Sequence, residues 1–142
     1  METDCVFCRI VARELPASVV AEDDWTLSFM DLRQSNPGHI LVIPKAHIPT
    51  VDLLPPDLAG PTLRAVARAT GALRHGLAPD GINIWQSNGV AAGQEVFHVH
   101  FHIFPRHAGD GHMRVYPAFP PETPRAELDR LAARLRAALP RD

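Results

Sequence analysis

Residues 98–106 read HVHFHIFPR, three histidines at alternate positions inside an apolar run. Side chains on a β-strand alternate between faces, so His98, His100 and His102 are expected on one face and Val99, Phe101 and Ile103 on the other. The apolar face belongs to a core. A rise of roughly 3.3 Å per residue puts neighbouring imidazoles about 7 Å apart, so two of them could share a metal, whereas a straight strand does not readily converge all three. The pattern offers a metal site, a nucleophile, or both. A lone strand histidine is usually a half-buried, hydrogen-bonded residue, but three in register within a chain of eight histidines call for more than that.

Around this stretch the chain reads as an α+β domain. VVAEDD (Val19–Asp24), WTLSFMD (Trp25–Asp31) and HILVIPK (His39–Lys45) are short β-type runs, with a hairpin turn at Asp23-Asp24 and a longer one at QSNPG. From Pro55 to Leu77 the spacing becomes helical through Leu58, Leu63, Val66, Ala69, Leu73 and Leu77, although Pro61 allows a later start. GINIWQS (Gly81–Ser87) returns to strand character, NGVAAGQE is a glycine-bearing loop, and VFHVHFHIFP is the longest expected strand. A proline-dense connection, Tyr116–Pro124, leads to an amphipathic helix capped by Thr123 with Pro124 in its first turn and Leu128, Leu131, Leu135 and Leu139 on one face. Strands on both sides of a central helix, without regular strand-helix alternation, predict an antiparallel sheet of about five strands.

Composition narrows the partners. The chain has 142 residues, 46% apolar and 21% charged, with a formal charge of −2, so nothing in it favours nucleic acid as the main partner. No segment approaches about 18 consecutive apolar residues, and METDCVFCRI lacks the basic start and apolar stretch of a signal peptide, so a membrane is not an expected partner and a cytoplasmic location is. Both cysteines are spent on one C-x-x-C, Cys5 and Cys8, which in a reducing compartment suggests a zinc half-site completed by histidines, ahead of a redox pair or two plain thiols.

H-x-H-x-H followed by two apolar residues resembles the signature of the histidine triad (HIT) superfamily of nucleotide hydrolases and transferases. GQEVFHVHFHIFPR, FCRIVARELPASVVAEDD, FMDLRQSNPGHILVIPKAH and NGVAAGQE resemble that family's landmarks in order. The resemblance implies a HIT-like fold over residues 1–115, followed by a variable proline-rich connection and helix over 116–142, and a homodimer formed through the long helix. It implies that His100 is the nucleophile, flanked by His98 and His102, with His39 a fourth active-site histidine and Gln94 near the α-phosphate and bridging oxygen. Asp31 matches the acid that binds ribose hydroxyls, and Phe7, Ile10, Val20, Phe29 and Leu32 match an apolar base pocket. Gly93 and Asn88 are the loop positions expected beside phosphate. In the zinc-containing branch of the family the metal ligands correspond to Cys5, Cys8, His47 and His98, a structural Zn2+ site.

The activity this resemblance implies is hydrolysis of nucleoside 5′-phosphoramidates or related purine nucleotide (AMP or GMP) mixed anhydrides, through a nucleotidyl-histidine intermediate. The rivals are a dinucleoside polyphosphate hydrolase, a nucleotidyl transferase, a three-histidine metallohydrolase, and a nucleotide-binding sensor without turnover. Glu95 stands where many hydrolases of the family carry serine or threonine. Trp25 and Trp85 are expected to pack in the core or an interface, His75 to lie on the helix surface, and Arg106 either to contact phosphate or to be solvated.

Overall fold

The computed structural model describes residues 4–112, 118 and 120–140, so part of the Tyr116–Pro124 connection lies outside the described residues. The chain forms two compact units, Met1–Asp110 and Gly111–Asp142. In the first, the elements run α1 (Val6–Val11), β1 (Val19–Glu22), β2 (Thr26–Met30), β3 (Ile40–Pro44), α2 (Pro56–Leu77), β4 (Gly81–Trp85) and β5 (Phe101–Arg106). The five strands make one sheet in the order β1-β2-β3-β5-β4, every pair antiparallel.

All of β3 is buried because both faces of the sheet are covered. Ile40 and Val42 point to α2, where they meet Ala65, Val66, Ala69 and Leu73, together with Ile103 of β5. Leu41 and Ile43 point the other way, and with Leu27 and Phe29 of β2 they receive Phe7 and Ile10 of α1. The period-two alternation of one strand thus divides two cores. His102 pairs with Leu41, and Ile103 with Ile40, so His102 shares the α1 side of the sheet while α2 covers the reverse.

The β1–β2 turn forms at Asp23, whose carboxylate accepts the backbone N–H groups of Trp25 and Thr26 and the Thr26 hydroxyl. The long helix begins at Pro56 and keeps Pro61 inside it, so the later start that Pro61 allowed does not occur. It ends at Ala78, a non-glycine residue with φ 46° whose N–H closes on the Arg74 carbonyl.

The structure departs from the sequence reading at several places. β5 begins at Phe101, so His98, Val99 and His100 precede the ladder instead of lying within a long strand. The cause is Pro44 at the end of β3: it has no N–H to extend the ladder, and its carbonyl takes the His98 ring Nε2 at 2.8 Å. Val99 instead donates its N–H to the Ile48 carbonyl at 2.6 Å. α1, a six-residue helix, was not expected from the sequence, where it is too short to show a period. In the second unit α3 spans Arg125–Ala137, with Pro124 in an extended N-cap conformation and no side-chain cap, so Thr123 does not cap it and Leu139 falls beyond it. Trp25 is 56% exposed and so lies outside the core.

Candidate functional site

The residues before β5 carry two kinds of chemistry, divided at His98. This imidazole is fully buried and donates its Nε2–H to the Pro44 carbonyl, which leaves Nδ1 as the lone-pair nitrogen. Nδ1 lies 3.5 Å from Cys5 Sγ and 3.6 Å from Cys8 Sγ, and Cys8 Sγ lies 3.3 Å from His47 Nδ1. All four ligand atoms fall within 4.8 Å of one another. Bond lengths of about 2.3 Å to sulfur and 2.0–2.1 Å to nitrogen place S and N about 3.5 Å apart on the edge of a tetrahedron, the spacing seen here. The four side chains could therefore hold a metal ion without rearrangement.

Local structure explains why the cysteines converge. Cys5 is the N-cap of α1 and its sulfur accepts the Cys8 N–H at 3.5 Å, so the C-x-x-C wraps one helical turn and presents both sulfurs to the sheet. A cavity of about 310 Å³ opens beside the cluster, lined by Asp4, Cys5, Val6, His47, Glu95, Val96 and Phe97. Glu95, which stands where many hydrolases of the family carry serine or threonine, lines a wall next to two of the metal-competent side chains.

His100 turns away from the cluster. Its Nδ1–H donates to the His98 carbonyl at 2.7 Å, which fixes the tautomer and leaves Nε2 with its lone pair. Phe7 stands edge-on to this ring, with centroids 5.1 Å apart, and the ring of His102 is 4.9 Å away on the other side. His102 Nδ1 meets His39 Nε2 at 2.9 Å, and His39 Nδ1 faces Asp31 Oδ2 at 3.7 Å. Because His39 presents opposite ring edges to its two neighbours, Asp31, His39 and His102 form a polar chain, not a chelate, although their ligand atoms are near enough to suggest one.

Burial depresses the basicity of this group. His102 is pushed down to about 4, first by burial and then by the proximity of His100 and His39, with Asp31 opposing. His39 is lowered by burial against the opposing pull of Asp31 and a backbone hydrogen bond at Arg33. His98 is pushed down to about 4 by burial, with the Pro44 hydrogen bond opposing. The loop that carries Asp31 and His39 is self-tied: Gln34 accepts the N–H groups of Gly38 and His39 and donates to the Asp31 and His39 carbonyls.

The remaining sequence candidates divide in the same plain way. Phe7, Ile10 and Phe29 lie together in the α1-side core. Val20 is 39% and Leu32 97% exposed, so the structure does not bring them into that apolar group. Gln94 is buried, with its amide spent on the Gly89 N–H and the Pro49 and Val96 carbonyls. Asn88 accepts the Val51 N–H and pairs with Gln86. Gly89 and Gly93 have φ 90° and 86°, the left-handed region that turns this loop sharply. Arg106 is held by Asp110 and Asn83, and His75 sits exposed on α2, bonded to the Gly71 carbonyl.

Trp85 is the site neighbour that sequence reasoning assigned to packing. It pairs with His102 across β4 and β5, and its indole lies flat on that imidazole, with centroids 4.3 Å apart and planes at 3°. An aromatic residue at a strand end gives no such signal until the register is known.

The HIT domain model matches residues 12–109. The chain belongs to the HIT family. It is 44% identical over 109 residues to Protein hit of Bacillus subtilis, covering 76% of this chain and 75% of that one. It is 33% identical over 135 residues to the adenosine 5′-monophosphoramidase hnt1 of Schizosaccharomyces pombe, covering 93% of this chain and 98% of the relative. The crystal structure of a HIT family member from Bacillus subtilis superposes with a TM-score of 0.91 at 36% identity, over 98% of this chain and 99% of that one. A Zn-bound histidine triad family protein from Mycobacterium smegmatis matches with a TM-score of 0.71 at 38% identity, over 96% and 98% of the two chains. Within this HIT chain, no helix among the described residues is long and apolar enough to cross a membrane.

Proposed function

We propose that this HIT protein hydrolyses nucleoside 5′-phosphoramidates, or related purine nucleotide mixed anhydrides, through a nucleotidyl intermediate on His100. The observation that carries the reading is the 2.7 Å bond from His100 Nδ1–H to the His98 carbonyl, which holds the ring by Nδ1 and leaves Nε2 as the nitrogen that attacks. The monophosphoramidase name of the Schizosaccharomyces pombe relative supports the substrate class.

Attack of Nε2 on the α-phosphorus forms a P–N bond to His100 and breaks the bond to the leaving nitrogen, which departs as the amine with a proton taken from solvent. Water then breaks the histidine–phosphorus bond, releases the nucleoside monophosphate, and returns the proton consumed in the first step. Two in-line displacements give net retention at phosphorus. His102 supplies the contact to the phosphoryl oxygens with His39 behind it on Nδ1, Asp31 accepts the ribose hydroxyls, and the base lies against Phe7, Ile10 and Phe29.

Zn2+ fits the four-ligand cluster of Cys5, Cys8, His47 and His98, on the donor set and the tetrahedral spacing. When bound it crosslinks α1 to the segment before β5. That the Mycobacterium smegmatis neighbour is a Zn-bound protein supports the choice of ion, and two free thiols suit a cytoplasmic setting. A homodimer through α2 is part of the proposal, supported by Leu63, 65% exposed on that helix. Light scattering on Leu63→Glu tests it, a monomer being the expected result.

Adenosine 5′-phosphoramidate incubated with the protein should yield AMP, and His100→Ala should lower the rate by roughly a thousandfold or more, as loss of a covalent nucleophile does. Undiminished hydrolysis by His100→Ala would remove the nucleophile from the mechanism.

A further inference from the structure

The flat contact between Trp85 and His102 is unlike the other ring contacts of the site, which are edge-on or tilted. Cross-strand partners share a face of the sheet, so the register alone puts the indole over the imidazole. At a centroid distance of 4.3 Å and an angle of 3° the two rings are in contact over their faces, and the His102 ring cannot tilt out of this plane without losing that contact. His39 holds Nδ1 of the same ring at 2.9 Å. Nε2 has no hydrogen-bond partner among the described residues.

For Nε2 to donate to a phosphoryl oxygen it must carry a proton while Nδ1 accepts from His39. A neutral His39 with its proton on Nε2 meets this requirement, since Nε2–H donates to His102 Nδ1 while His39 Nδ1 stands 3.7 Å from Asp31 Oδ2, beyond hydrogen-bond reach. Both rings are then neutral, in keeping with the burial that lowers the basicity of each. The indole lies 4.3 Å from the His102 ring and 5.4 Å from that of His39, so it packs against both members of the pair. The other titratable groups facing the pair are His100, whose ring is 4.9 Å from that of His102, and Asp31.

We propose that Trp85 is a positioning residue of this site: its indole fixes the plane of the His102 ring, and so keeps Nδ1 on His39 and the Nε2–H aimed at a phosphoryl oxygen. The proposal rests on the assignment of His102 to phosphate contact.

Trp25, exposed on the β1–β2 hairpin, can be replaced to leave Trp85 as the single tryptophan. In the full-length, metal-loaded Trp25→Phe protein, Trp85 emission should be quenched by AMP and not by adenosine, and the quench should vanish in His102→Gln. Nitrogen-15 imidazole spectra at pH 7 should show His102 as one tautomer, with ring protons shifted upfield by the indole. Trp85→Leu should mix the tautomers, remove the upfield shift and lower kcat/KM for adenosine 5′-phosphoramidate about tenfold, with Trp85→Phe losing about threefold. A single unaltered tautomer together with wild-type kcat/KM in Trp85→Leu would overturn the proposal. If Trp85→Leu does not fold, Trp85→Phe with an unchanged tautomer and unchanged kcat/KM does the same. If the wild-type protein turns over no nucleotide, the hydrolase reading fails, while the AMP quench and the tautomer still decide the role of Trp85.

Discussion

His98 shows how much one residue can be asked to do. Its carbonyl orients His100, its Nε2–H fills the end of β3 at Pro44, and its Nδ1 faces two cysteine sulfurs. His102, four residues on, has a simpler energetic role that pH can test. In the unfolded chain it titrates near 6.5, and in the fold burial pushes it down to about 4. Between those values the unfolded state binds a proton that the folded state refuses, so stability is full above pH 6.5 and falls as pH drops toward 4. The loss is on the order of 1–3 kcal/mol after allowing for solvent screening of a partly exposed ring. His102→Gln should therefore flatten the fall in Tm between pH 6.5 and 5 relative to wild type. Both proteins keep the Cys5, Cys8, His47 and His98 set, so acid loss of a metal cancels in the comparison. Parallel curves for the two proteins would mean that His102 titrates normally. At this scale the sequence was informative about identity and poor about contact: alternation grouped His100 with His102, but the stacking of Trp85 required the register of two strands that are distant in the chain.

Among the elements, the loop between β2 and β3 decides whether Asp31 and His39 reach the sheet together. Gly38 is its pivot. Its φ is +114°, and a Cβ built there would lie 2.6 Å from Leu77 Cδ1 and 2.8 Å from Leu73 Cδ1. Leu77 is exposed and can swing aside, but Leu73 is buried against β3 and cannot. Gly38→Ala should cost about 2 kcal/mol, through the unfavourable backbone region and the overpacking of Leu73, read as a lower urea midpoint with an unchanged slope. A midpoint within error of wild type would show that the loop relaxes freely. The strands β1 to β4 and the long helix were legible to within a residue or two at each end because their apolar periods are long enough to count. β5 was read too long, since the H-x-H-x-H alternation continues through residues that Pro44 prevents from pairing. α1 was missed because its six residues span under two turns, and the signal that could have found it was the C-x-x-C itself, whose i,i+3 spacing matches one turn of helix.

In the Met1–Asp110 unit the two ends of the HIT sequence meet at one cluster: Cys5 and Cys8 from the start, His47 after β3, and His98 before β5. That convergence was foreseeable only through resemblance, because composition and period say nothing about which histidine a C-x-x-C will find. It also sets what removal of the ion should do. α1 is held by two independent contacts, the cluster and the packing of Phe7 and Ile10 on Leu27, Phe29, Leu41 and Ile43. Chelation under reducing conditions should therefore leave the sheet and α2 folded while the N-terminal segment loosens, in contrast to a small zinc finger, whose fold depends wholly on its metal. Amide hydrogen exchange should quicken first at residues 6–12, with β2, β3 and α2 still protected, and Tm should fall by roughly 10 °C or more, equivalent to a few kcal/mol. Cys8→Ser should reproduce the effect and lower the bound metal from about one ion per chain to near none. Turnover should fall in step with exchange at Phe7, because that ring stands edge-on to His100 at 5.1 Å and its departure opens the nucleophile to water. An apo protein with unaltered exchange at residues 6–12 would show that apolar packing alone holds α1, and the four ligands would then have no structural task.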